Sequence, residues 1–305
     1  MTKNKNTKLE KHIPVMLESV LAIIDPKPGQ RYLDVTAGYG GHASAILERT
    51  LQLEGAVLVD RDQMAIDQLQ NVFHGSGVNI IHKDFVNAAT DLLKEERTFD
   101  IVLADLGVSS PHLNTASRGF SFRFDANLDM RMDQSQELTA EKVVNTYSSE
   151  QLEEILRVYG EEPKARAISE LLVKKRPIYK TSELAEIVAL AWPGYSRVHP
   201  ATRTFQAIRI AVNDELRLVQ TALPLLMDLL APGGRLAVIS FHSLEDRIVK
   251  KCFADYAGDR YDTDFRLLTK RPITPSPDEL VSNPRARSAK LRAVAKIKNK
   301  KKGDA

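Results

Sequence analysis

Two rhythms of apolar residues alternate through the first hundred positions. Short runs at Arg31–Thr36, Ala56–Asp60, Val78–His82 and Phe99–Leu106 are dense in Val, Ile and Leu, as buried strands require. Between them, Ala43–Arg49, Met64–Val72 and Ala88–Glu95 space their apolar residues by three and four, which predicts helices with one buried face. A further helix follows His12-Ile13-Pro14-Val15, with Met16, Val20, Ile23 and Ile24 on one side, and stops at the Pro/Gly turn of residues 25–29. Strand and helix in regular alternation predict βαβ units and a parallel sheet.

The alternation ends at Ser109. From there to about Thr204 the pattern is polar and helical, with candidate helices at Thr139–Asn145, Ser149–Tyr159, Pro163–Lys175 and Thr181–Ala191. Ser and Thr stand ahead of two of these, followed closely by Glu, as helix starts do. The α/β rhythm then resumes with one long helix, Thr204–Leu230, striped by Phe205, Ile208, Val212, Leu216 and Leu223. After Ala231-Pro-Gly-Gly234 comes a fifth strand, Arg235–Ser240. The expected architecture is α/β, a doubly wound sheet with an inserted all-helical domain. The sheet domain takes residues 1–108 and 206–305, and the insert takes 109–205.

Composition adds exclusions. The 305 residues suffice for one large domain or two ordinary ones. No apolar run approaches the roughly 20 residues of a membrane span. Met1–Lys11 is polar and lysine-rich, so no secretory leader is expected there. Cys252 stands alone, which excludes an internal disulfide and a cysteine-built metal site, and a cytoplasmic location follows. The net charge of +3 is uneven: residues 285–302 hold nine Lys/Arg and no acid, leaving the remainder about six charges negative. That lysine-rich, low-complexity end predicts either a polyanion partner or a solubilising tail.

Chemistry concentrates at the strand ends. Asp34 is followed by Gly38-Tyr39-Gly40-Gly41, a loop whose glycines let backbone approach a ligand ahead of a helix N-terminus. A dinucleotide fingerprint needs a third glycine where Ala43 stands, which disfavours an NAD-dependent reductase. An acid at Asp34 suits a cationic amine better than a pyrophosphate, and S-adenosylmethionine carries both an amine and a sulfonium. A plain strand-to-helix turn is the competing reading. Asp60, closing the second strand, is placed to accept from ribose hydroxyls, as acids also do in NAD enzymes. Phe85 either faces the adenine or fills the core. Asp105, ending the fourth strand, either accepts a hydrogen bond from a substrate amine or caps the next turn. His242, just past the fifth strand, either lines a base pocket and takes a proton or sits in a loop where Ser243 and Asp246 form a capping box. Cys252 falls mid-helix, away from these ends, and reads as a buried apolar residue rather than a nucleophile. Phe120, Phe122 and Phe124 interleave with Arg118, Arg123 and Arg131, which suits either a splayed RNA base or a packed anchor for the insert. Arg203, Arg209, Arg285 and Arg287 are candidate phosphate contacts.

The order of these motifs resembles the bacterial S-adenosylmethionine-dependent ribosomal RNA small-subunit methyltransferases H, the MraW family. The resemblance runs through His12–Val15, Asp34–His42, Asp60–Asp62, Asp105–Ser110, Arg118–Phe122 and Leu128–Asp133. It continues through Tyr159–Glu162, His199–Gln206, Pro232–Arg235, Ser240–Arg247 and Asn283–Ser288. The resemblance implies a Rossmann-like class I methyltransferase sheet and methylation of a cytidine 4-amino group in the decoding region of 16S ribosomal RNA. It implies cofactor contacts at Gly40, Gly41, His42, Asp60, Phe85 and Asp105, to which the glycine-loop reading adds Asp34 and Gly38. A further contact falls on His112, where the family pattern has Gln. The implied partner is 16S RNA or the small ribosomal subunit, without a membrane; monomer and homodimer both stay open. A non-catalytic RNA-binding or ribosome-assembly factor on the same fold is the reading from another class.

Overall fold

The computed structural model describes residues 14–194, 198–257 and 263–297. Seven strands form one sheet: β1 (Tyr32–Asp34), β2 (Val57–Asp60), β3 (Asn79–His82), β4 (Phe99–Asp105), β5 (Leu230–Ser240), β6 (Phe265–Leu267) and β7 (Lys290–Lys296). Their order is β3-β2-β1-β4-β5-β7-β6. β1 to β5 run parallel, and β7 is antiparallel to both of its neighbours. Leu33, Leu58, Ile101 and Leu103 are wholly buried, as expected of parallel strands covered on both faces. Each such side chain contributes about 1.5–3 kcal/mol by leaving water. Helices Gly41–Thr50, Gln63–Val72 and Phe85–Lys94 make the crossovers between the first four strands, and Asp84 caps the last of them by accepting from Val86 and Asn87 N–H. The doubly wound α/β expectation stands.

The chain divides into two units. Of the described residues, one holds those up to Asp60, Met64–Leu106 and those from Gln220 on; the other holds Arg61–Gln63 and those between Gly107 and Val219. The second unit is built from helices Ala140–Thr146, Ser149–Gly160, Ala165–Lys175, Thr181–Leu190 and Ala201–Asn213. Their core is Val143, Val144, Leu156, Ile168, Leu172, Leu184 and Ile208. The unit ends beyond the predicted boundary at residue 205 because Phe205, Ala207, Ile208 and Val212 all pack into this core.

Three expectations change. The long helix over Thr204–Leu230 is two helices, Ala201–Asn213 and Glu215–Asp228, broken where Asp214 turns left-handed at φ 51°. The Asn213 side chain fixes the break, accepting from Met132 N–H at 2.8 Å and donating to Met130 O at 2.7 Å. β5 starts at Leu230 rather than Arg235, with an irregular register opposite residues 99–101. The largest change concerns the basic end. Lys290–Lys296 is an interior strand, not a solvated tail. Leu291, Ala293 and Ala295 fill one set of alternate positions, while Lys290 and Arg292 reach Asp246 at 3.1 and 2.6 Å. Lys296 Nζ donates to the carbonyls of Asp228 and Leu230. The charge run hid a strand, since its cations are neutralised by partners distant in sequence. The lysines after residue 297 and the arm of residues 1–11 lie outside the described residues.

Arg292 is only 7% exposed, so its guanidinium depends on Asp246. Its neighbouring cations hold the Asp246 carboxyl below the usual range against the opposing effect of burial. Replacing Asp246 by Ala leaves a buried cation unpaired and is expected to cost roughly 3 kcal/mol of sheet-unit stability, read as a lower urea midpoint. The double variant Asp246→Ala, Arg292→Met is expected to recover part of that loss.

Candidate functional site

The carboxyl end of β1 is organised by one buried acid. Asp34 is 1% exposed; its Oδ2 accepts from Tyr32 Oη at 2.7 Å and its Oδ1 from Thr36 N–H at 3.1 Å. Thr36 Oγ1 in turn accepts the backbone N–H of Asp105 at 2.6 Å, tying the ends of β1 and β4 together. Asp34 therefore braces the loop, with both oxygens already turned onto protein donors. Asp60 extends the brace: its Oδ2 accepts Gly38 N–H at 2.8 Å, so the tip of β2 holds the start of the glycine loop.

The loop's glycines have distinct reasons. Gly40 stands at φ 81°, a left-handed conformation that side chains disfavour, and it opens helix Gly41–Thr50 without any side-chain cap. A Cβ on Gly41 would lie 2.6 Å from Cγ of Pro14, so the segment leading into the first helix packs directly on this turn. The first amide groups of the helix are left for a ligand or solvent. His42 is buried in the same turn, with Nε2 3.8 Å from Oδ2 of Asp105.

Asp105 ends β4 with Oδ1 buried and without a hydrogen-bond partner among the described residues. Burial is the main cause holding its carboxyl well above the usual range, and the charges of Asp34 and Glu245 push it the same way. Glu245 lies in helix Ser243–Tyr256, where its Oε2 accepts Phe241 N–H at 2.8 Å. His242, just beyond β5, caps this helix: its Nδ1 accepts Glu245 N–H at 3.4 Å, and its Nε2 lies 3.2 Å from Glu245 Oε1. The capping pair is thus His242 with Glu245, correcting the Ser243–Asp246 expectation, because Asp246 is spent on Lys290 and Arg292. Phe85 opens helix Phe85–Lys94 half-buried beside its cap, Asp84.

In the helical unit a second buried acid does comparable work. Asp62 Oδ2 receives His112 Nε2 at 2.5 Å and Arg118 Nη1 at 2.8 Å. Ser109 N–H donates to His112 Nδ1 at 3.2 Å, which places the ring proton on Nε2, facing Asp62. Both ring nitrogens of His112 are therefore engaged, and what the ring has left to offer a ligand is its carbon edge. Arg118 is 3% exposed and also donates to the carbonyls of Arg131 and Met132, so it is a structural pin and not a phosphate contact. Arg131 is held by Asp129, and Phe122 stacks on His199 at 4.4 Å, so most of this segment anchors the insert. Arg209 pairs with Glu215 at 2.9 Å rather than pointing to solvent. Cys252 lies half-buried in its helix, its thiol pushed up to about 11 mainly by burial. Tyr32, Thr36, Asp62 and Glu245 carry this geometry without having been singled out beforehand; their motifs were visible, their partners were not.

The donor set fits S-adenosylmethionine. Asp34, Asp60, Asp105 and Glu245 line the strand ends with carboxyl oxygens, acceptors suited to a ligand that brings an ammonium and hydroxyl donors and ill suited to a pyrophosphate. The orphaned Oδ1 of Asp105 is an acceptor awaiting a donor.

Asp34 makes a measurable pH signature. Burial, first among its causes, lifts its carboxyl from 3.8 to about 6, opposed by the bonds from Tyr32 and Thr36 and aided by the charge of Asp60. The folded state thus keeps a proton that the unfolded chain has released. This contribution favours folding below the unfolded value and is lost as pH rises through about 6. Its size is roughly 3 kcal/mol. Urea unfolding between pH 4 and 7 is expected to show this fall in the parent chain, and a correspondingly flatter profile in Asp34→Asn.

Comparison with known proteins agrees with the resemblance. The family model described as the MraW methylase family matches residues 9–297. A "Ribosomal RNA small subunit methyltransferase H" of Cyanothece sp. is 47% identical over 94% of this chain and 95% of its own length. A protein of the same name from Heliobacterium modesticaldum is 44% identical over 94% of this chain and 99% of its own length. A solved rRNA methylase from Streptococcus thermophilus aligns with TM-score 0.43 at 10% identity over 92% of this chain and 95% of that one, a likeness too weak to add to the assignment. The chain belongs to the MraW methylase family of S-adenosylmethionine-dependent methyltransferases.

Proposed function

We propose that the chain transfers a methyl group from S-adenosylmethionine to the exocyclic 4-amino group of a cytidine in the decoding region of 16S ribosomal RNA. The small-subunit RNA is the substrate class named for its relatives. The observation that carries the amine chemistry is Asp105: a carboxyl at the end of a central strand with one buried oxygen unpartnered. Carboxyl ends of central strands are where open α/β sheets place their ligands.

S-adenosylmethionine, when bound, supplies a methyl on a sulfonium whose sulfur leaves as a neutral thioether, so direct in-line displacement suffices. The chain's work is placement. Gly38, Gly40, Gly41 and His42 shape the cofactor turn, with Asp34 bracing it. Asp60 takes the ribose hydroxyls, Phe85 faces the adenine, and His112 contributes at most its ring edge. Asp105 accepts a hydrogen bond from the attacking amine, which aims the lone pair at the methyl. His242 then takes on Nδ1 the proton the methylated amine must shed, giving up its cap on Glu245 N–H as it does so, and Glu245, 3.2 Å from Nε2, steadies the resulting imidazolium. A thiol-dependent route at carbon-5 is disfavoured, since the Cys252 thiol is held protonated and sits mid-helix. No helix among the described residues is long and apolar enough to cross a membrane, and the cytoplasm is the proposed location.

Two measurements test this. Mass spectrometry of 16S RNA digests after incubation with the chain and S-adenosylmethionine is expected to show new N4-methylated cytidine; its absence overturns the proposal. Asp105→Ala is expected to lower kcat on the order of 10²-fold with RNA affinity unchanged. A wild-type cellular phenotype in that variant would instead support the non-catalytic assembly role.

A further inference from the structure

Two segments of the helical unit lie side by side in antiparallel register, bridged at Asn127 and Lys180. Leu128 N–H donates to Tyr179 O at 3.0 Å, and Thr181 N–H to Ala126 O at 2.8 Å. Thr181 Oγ1 accepts from Ala126 N–H at 3.0 Å and donates to Phe124 O at 2.6 Å. Ala126, Leu128 and Ile178 are buried beneath this ribbon. Its backbone is fixed, yet two of its rings face water: Phe124 is 43% and Tyr179 50% exposed. Neither ring meets another ring or a cation among the described residues, whereas exposed Tyr256 packs edge-on against Phe265.

Charge separates in the same sense. The ribbon's acids are spent locally: Asp125 accepts from Ser182 Oγ at 2.6 Å, and Glu183 accepts the N–H groups of Tyr179 and Lys180 at 2.8 and 2.9 Å. Arg123, Lys174 and Lys175 are exposed and form no ion pair among the described residues. A face for another protein would be depleted in lysine. Arg123 precedes Phe124 in the chain, and Lys174 and Lys175 lie four or five residues ahead of Tyr179; exposed rings and cations together suit unpaired bases and their phosphates.

We propose that this ribbon is a seat for single-stranded RNA, with bases stacked on Phe124 and Tyr179 and phosphates on Arg123, Lys174 and Lys175. The inference rests on the rRNA-methylating function proposed above, and it names residues of the helical unit that grip that substrate. Neither ring belongs to the cofactor turn or the strand ends, so the grip acts on affinity alone.

The test is fluorescence anisotropy with a labelled single-stranded oligoribonucleotide and its duplex, paired with steady-state methylation of 16S RNA. Phe124→Ala and Tyr179→Ala are each expected to weaken single-strand binding, and raise KM for RNA, by about ten-fold. kcat, affinity for S-adenosylmethionine and thermal midpoint are expected to hold, and Tyr179→Phe to bind as the parent. Arg123→Gln is expected to reduce the salt slope of binding by about one. Parent-like binding in both alanine variants overturns the seat, as does a loss confined to ribosomal proteins with deproteinised RNA bound normally. If the parent grips single strands through these rings but forms no methylated cytidine, the proposed function falls and the seat stands. If it methylates RNA with KM unmoved by either substitution, the seat falls and the function stands.

Discussion

The sheet's ligand edge depends on the burial of one carboxyl, Asp34. β1 is only three residues long, too short for its ladder alone to fix the loop that follows. The carboxyl compensates by gathering Tyr32 Oη and Thr36 N–H, and Thr36 passes the tie across to the Asp105 amide. Val35 N–H to Leu103 O and Ala37 N–H to Val59 O extend it to the strands on either side. Burying an acid is costly, and its raised pKa records that cost. What the cost secures is a rigid turn in which the amides of the helix Gly41–Thr50 and the acids of β2 and β4 are presented together.

The distribution of charge follows from the same economy of burial. A chain with net positive charge keeps an acidic edge because several of its cations are consumed within the sheet. Lys290 and Arg292 are bound to Asp246, and Lys296 to two carbonyls. These cations are thus engaged away from the carboxyls of Asp34, Asp60, Asp105 and Glu245 at the strand ends. The buried Oδ1 of Asp105 has no hydrogen-bond partner among the described residues, whereas both oxygens of Asp34 accept from protein donors.

The helical unit repeats the principle with a different acid. Asp62 binds His112 and Arg118, and Arg118 gathers the carbonyls of the loop that ends at Met132. Residues that by type suggest nucleic-acid contact are thereby spent on the unit's own architecture. Phe124, Tyr179, Arg123, Lys174 and Lys175, by contrast, stay exposed on the ribbon proposed as the RNA seat.

Local pattern alone determined much of this. The periods of the first hundred residues specified the βαβ succession, since buried strands and amphipathic helices each impose a repeat that needs no distant partner. The glycine loop, the acid before it and Ala43 in the third-glycine place separated S-adenosylmethionine from a dinucleotide on stereochemistry and charge. Partnership was decided by the tertiary structure. Lys290–Lys296 reads as a charged tail until Asp246, some forty-odd residues earlier, neutralises two of its cations. Arg118 reads as an RNA contact or as part of a packed anchor until Asp62 claims it, and Thr204–Leu230 reads as one helix until Asn213 is held by the Met130–Met132 segment. In each case the deciding interaction joins residues far apart in sequence, and a repeat of two or 3.6 residues carries no information about it.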